Sequence, residues 1–147
     1  MKKTLWMLVI TLLTANVASA ANEVALPAVG GYDVVAYFTE SKAVRGSGFH
    51  TATFDGQSYL FSSKENKALF DASPAKYKPA FNGWCAYGVA VNKKFHTDPT
   101  VFAVVEGKLY LNLNKDIQGK WDADQSGHIA KAHKNWKKIR KKSAASL

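Results

Sequence analysis

One cysteine and four histidines carry most of the chemistry open to this sequence. Cys85 stands in Gly83-Trp84-Cys85-Ala86-Tyr87-Gly88, between aromatics. A free cysteine commonly packs in the core as a small hydrophobe, so an inert thiol is the plain expectation. A metal site is the sharper one. Thiolate and imidazole together suit Cu(I) or Zn(II), and His50 and His96 are the histidines that would complete a set with Cys85. A third reading makes Cys85 a nucleophile, which needs a neighbouring base and a group to orient it. His96 with Asp98, in Lys94-Phe95-His96-Thr97-Asp98, is the candidate pair. His128 and His133 lie about 140° apart around a helix, so they do not chelate from one face. They are expected as ordinary residues near the start and on the flank of the last helix.

No other catalytic pattern accompanies these residues. The sequence has no G-x-S-x-G, H-E-x-x-H, P-loop, G-x-G-x-x-G or C-x-x-C-H. Cys85 is expected mid-strand among bulky aromatics, away from the exposed helix start that suits a reactive thiol. No catalytic residue is therefore assigned. With one cysteine no internal disulfide can form, so packing alone must hold the core.

The chain of 147 residues suits one domain and is too short for a TIM barrel, a papain-sized protease or a two-domain dehydrogenase. Its first twenty residues read as an address. Met1-Lys2-Lys3 is a basic start, Leu5 to Val17 is mainly apolar, and Ala18-Ser19-Ala20 supplies small residues. That order describes a secretory signal peptide over residues 1–20, cleaved between Ala20 and Ala21. The apolar run falls short of the ~20 residues of a membrane span. Export to a periplasm or to the outside is expected.

The net charge of +9 sits largely at one end. Lys131, Lys134, Lys137, Lys138, Arg140, Lys141 and Lys142 crowd the C-terminal segment, and no acidic residue follows Asp124. A nucleic-acid domain would spread such charge over its binding face, so no nucleic-acid partner is expected. The segment 141–147 reads as a basic tail, weakly drawn at most to an anionic membrane or cell-wall polymer.

The elements that must position these groups are short. Residues 21–30 read as an extended leader, and Val34 to Phe38 as a buried strand or helical turn. Thr51–Phe54 and Ser58–Phe61 flank Asp55-Gly56-Gln57, a strong hairpin signal. Ser62 to Glu65 fits a capping box with Ser62 as N-cap, opening a helix that stops near Ser73-Pro74. Pro74 to Tyr77 adds a further turn. Trp84 to Val91 is a continuous apolar run and is expected as a buried strand. Val101–Val105 and Lys108–Leu113 form a second hairpin about Glu106-Gly107. Asn114 caps a helix through Ile117 and Trp121, and Ile129, Ala132, Trp136 and Ile139 share one face of the last helix. The fold class is α+β, a small antiparallel sheet built from hairpins and packed with several short helices.

From Gly31 to Tyr77 the chain resembles the YHS domain, through GYDVVAY, FDGQSYLF, FSSKEN and ALFDASPAKY. From Pro79 to Ile139 it is similar to the secreted branch of YHS-domain proteins, through FNGWCAYGVAV, DPTVFAVVEGKLYLNLNKDIQGKW and HIAKAHKNW. The resemblance implies a YHS-type domain over residues 31–140, acting as a non-catalytic module associated with a transition metal, Cu or Zn, or with a metal-linked exported partner. In the metal-type members cysteines stand at the positions of Ser62 and Asn66 and near Ala36. This sequence has none of the three. The remaining alternatives are an interaction protein without metal and a small hydrolase using Cys85.

Overall fold

The computed structural model describes residues 26–147. The signal-peptide expectation, with its cleavage between Ala20 and Ala21, lies outside the described residues.

Turn chemistry builds both hairpins. Strands β1 (Ser47–Phe54) and β2 (Gln57–Phe61) pair antiparallel across Asp55-Gly56. Both turn residues have positive φ, at 54° and 74°, the combination that matches the twist of a two-residue hairpin. Strands β3 (Phe102–Val105) and β4 (Lys108–Leu111) repeat the device across Glu106-Gly107. The hairpins form two separate two-stranded sheets within a small α+β fold. In β1 the register shifts between Ser47 and Thr51, and this irregularity holds His50 and leaves Phe49 95% exposed.

Helical turns join and cover the hairpins. Val34 to Phe38 resolves into helical structure, α1 (Ala36–Thr39). Helix α2 (Lys64–Ala72) ends before Pro74, which opens α3 (Pro74–Tyr77). Its N-cap is Ser63, whose hydroxyl accepts from the Asn66 amide at 3.1 Å, and not Ser62. Ser62 is drawn aside because its own N–H and hydroxyl both donate to Asp33. Asn114 caps α5 (Lys115–Asp122), accepting from Ile117 N at 2.9 Å. Asp124 caps α6 (Gln125–Ile139).

Two further expectations give way. Trp84 to Val91 is not a strand: it holds α4 (Ala86–Ala90), with Cys85 as N-cap. A short apolar run does not distinguish a buried strand from a buried helix, and tertiary contacts decide. Here Asn135 of α6 donates to the terminal carbonyls of Val89 and Ala90, closing the helical end. The end of the leader is a 3-10 turn over Ala28–Gly31, not extended chain. The last residues also fold back. Ala144–Ser146 makes a 3-10 turn and Leu147 packs on the core.

Two main clusters form that core. Val34, Val35, Tyr59, Phe61, Phe70 and Tyr77 lie under the first hairpin. Phe81, Val89, Tyr110, Trp121, Ala132 and Ile139 join the second hairpin to α4, α5 and α6. Tyr37, Leu109 and Leu111 make a smaller third cluster. Each fully buried Val, Leu, Ile or Phe among them contributes about 1.5–3 kcal/mol by leaving water.

Candidate functional site

Cys85 is buried, and its surroundings are those of a structural cap. Its Sγ accepts from Gly88 N at 3.4 Å, and its S–H donates to Asn112 Oδ1 at 3.4 Å. Gly88 fits closely here: a Cβ would lie 2.8 Å from the Phe95 ring, which would have to shift. Asn112, buried as well, accepts from Tyr87 N and donates to Gln118 Oε1 at 2.8 Å. One side chain thus ties α4, β4 and α5 together. Burial pushes the Cys85 thiol up, with the N–H groups of Gly88, Leu113 and Tyr87 opposing. A raised thiol is a poor nucleophile and a reluctant metal ligand.

Neither histidine proposed as its partner makes a hydrogen bond with the thiol. His96 is exposed and rests on Trp84, ring centres 5.3 Å apart. His50 sits in the β1 irregularity on the first hairpin. Among the described residues no group of three or more His, Cys, Asp or Glu is placed to hold a metal ion. The set Cys85, His50 and His96 is therefore not brought together. His96 and Asp98 likewise do not reach the thiol: the side-chain partner of Cys85 is Asn112, and Asp98 is occupied by Thr100 at 2.7 Å.

Ser62, Asn66 and the start of α1 do converge, but on hydrogen bonds to one carboxylate. Asp33 is buried, and its Oδ2 accepts from Ser62 N at 2.8 Å, Ser62 Oγ at 2.6 Å and Asn66 Nδ2 at 2.8 Å. Its Oδ1 accepts from Val35 N and Ala36 N, capping α1. Asn66 also donates to Ser62 Oγ at 3.2 Å. Both Asp33 oxygens and the Ser62 hydroxyl have partners, and the groups are hard oxygens and an amide without a thiolate. They do not fit Cu(I) or a structural Zn(II). The cluster pins α1 and α2 to the start of the domain.

Two concavities open on the surface, and neither Cys85 nor Asp33 lines them. A cavity of about 380 Å³ opens between the first hairpin turn, the 3-10 turn Ala80–Gly83 and α6. A second, of about 640 Å³, lies between β3–β4 and the first half of α6. Lys108 and His133 line both. Both volumes fall in the range of small-molecule sites. The wall of the first is aromatic: Phe81 meets Trp136 at 5.8 Å and His133 at 5.1 Å between ring centres. Phe81 and Asn82 both hold positive φ, 54° and 53°, at the floor. Left-handed backbone at a bulky residue costs of order 1–3 kcal/mol and gathers at functional sites.

Charge in this cleft is uneven. Lys78 pairs with Asp55 and lies over the Phe54 ring. Lys108 has only a long contact, 3.4 Å, to the carbonyl oxygen of Ala75. Among the described residues no carboxylate pairs with it. Desolvation and the neighbouring Lys78 charge hold the Lys108 ammonium below its usual range. His133 Nε2 lies 3.3 Å from the Tyr110 hydroxyl.

Sequence reasoning pointed to Cys85 and passed over Lys78, Lys108, Asp33 and Asn112. Lys108 follows a turn and Lys78 follows a helix, where lysine is ordinary. Only long-range packing sets them on one cleft. No family model, curated protein or solved structure matches this chain.

Proposed function

We propose that this chain is an exported, non-catalytic binding module of the YHS type, which takes its ligand in the cleft shared by Lys108 and His133. One observation carries the reading: the thiol and the concavity are in different places. Cys85 lines neither cavity, and its hydrogen bonds are spent on Gly88 and Asn112. Covalent chemistry at Cys85 would need an approach for substrate and a base beside it. The cleft offers aromatic walls, convergent polar groups and a cation that, among the described residues, pairs with no carboxylate, which is the make-up of a binding site. Export is supported by residues 1–20 as a sequence pattern, and the YHS assignment by the motifs from Gly31 to Ile139.

Thiol labelling tests the reading directly. In native protein at pH 7, iodoacetamide should modify Cys85 many times more slowly than after unfolding in urea. Native labelling as fast as in urea would restore the hydrolase reading and overturn this one.

A further inference from the structure

The cleft reading leaves its ligand unnamed, and the residues around the first cavity narrow it. We infer that this cavity binds a small organic monoanion, a carboxylate on an aromatic body, with the carboxylate between Lys108 and Lys78 and the ring against Phe81 and Trp136. The inference rests on the cleft reading and gives it a ligand class.

Two lysines line one cavity of about 380 Å³, and among the described residues the one carboxylate lining it, Asp55, is taken by Lys78. That leaves one positive charge, on Lys108, without compensation in a partly dehydrated concavity. Fields are focused in such a cleft, so an anion is attracted more strongly than on open surface. A single negative charge balances the site. A dianion such as phosphate would exceed it and leave the aromatic wall uncovered.

The second cavity is a poorer host for an anion, since Glu106 lines it beside Lys108. The body of the ligand follows from the walls. Phe81 and Trp136 stand edge to face, and Pro79 and Ala80 continue the apolar lining. A flat ring buries area there and gains from offset or edge contacts. Lys108 also matches this use. It is held only by the long contact to Ala75, so its ammonium can turn to a ligand without breaking an ion pair.

Benzoate is the probe, with benzamide as its uncharged isostere and inorganic phosphate as the anion without a ring. Each is titrated into the mature protein up to roughly 10 mM, a range suited to ligands of this size. Binding is read from the backbone amides of Lys108 and Phe81 and the indole N–H of Trp136 by NMR. Benzoate should shift these signals saturably, and benzamide and phosphate should bind at least about tenfold more weakly. Lys108→Gln should weaken benzoate by about tenfold while its Tm stays at the wild-type value. Lys78→Gln serves as the second variant and should weaken it at least as much, because the freed Asp55 carboxylate then repels the anion and competes for Lys108.

Equal binding of benzamide, equal binding of phosphate, or no saturable shift with any probe overturns the inference. Slow native labelling of Cys85 with no benzoate binding sinks this ligand class alone. Rapid native labelling sinks the module reading whatever benzoate does.

Discussion

Lys94 Nζ donates to the carbonyl oxygen of Arg140 at 3.1 Å, forty-six residues away, at the C-terminal end of α6. It donates to the Lys142 carbonyl at 2.5 Å as well, and lies 5.3 Å from the Trp136 ring centre and 5.7 Å from that of Trp84. The last carbonyls of a helix lack intrahelical partners and carry partial negative charge. A buried ammonium here satisfies them and faces two indoles. The basic end of the chain is thereby docked, not left as a loose tail.

Lys94→Met keeps the aliphatic stem and removes the donor. The loss should be about 1.5–3 kcal/mol, the range for hydrogen bonds to a charged group. Thermal unfolding should then fall by roughly 5–10 °C. A Tm within a degree of wild type would show that the ammonium does not hold the helix end.

Asp33→Asn should cost about 2–4 kcal/mol, because an amide nitrogen would face the donors of Ser62 and Asn66. Ser62→Ala should cost less, since Asp33 keeps four of its contacts. The double variant should be less destabilised than the sum, as expected for residues in one network. Strict additivity by urea unfolding would contradict the shared carboxylate.

Metal should not act through Cys85. Zn(II) or Cu(I) added to apo protein should move the melting temperatures of wild type and Cys85→Ser by the same amount. The thiol is capped by Gly88 and Asn112, and His50 and His96 are not assembled around it. A shift in the wild type alone would restore the metal site.

At alkaline pH the buried tyrosines should govern stability. Burial pushes Tyr59 up to about 12, with the Asp55 charge adding to it, and raises Tyr37 further. An unfolded tyrosine ionises near pH 10. The folded state thus favours the protonated phenols, and their contribution is complete below about pH 10 and lost as pH rises through about 12. Urea midpoints should decline above about pH 10, less steeply for Tyr59→Phe than for wild type. Parallel declines would exclude Tyr59 as a source.

The sequence by itself determined the elements whose causes are local. Asp55-Gly56 and Glu106-Gly107 can adopt positive φ, so both hairpins were legible. Asn114 reaches its own helix three residues on, and α6 announces its buried face through Ala132 and Ile139. Pro74 ends α2 by sterics alone. The tertiary structure decided what local rules leave degenerate. Two adjacent serines suit a cap equally well, and only Asp33, twenty-nine residues before Ser62, separates their roles. An apolar run around Cys85 became a helix because Asn112 and Asn135 meet its two ends from 25 and 45 residues away. The cleft belongs to the same class. Lys78, Lys108 and His133 carry no mutual signal in the chain, because side chains so far apart in sequence are brought together only when the hairpins and α6 pack, and that packing is driven by apolar area, which does not specify which polar groups meet at its rim.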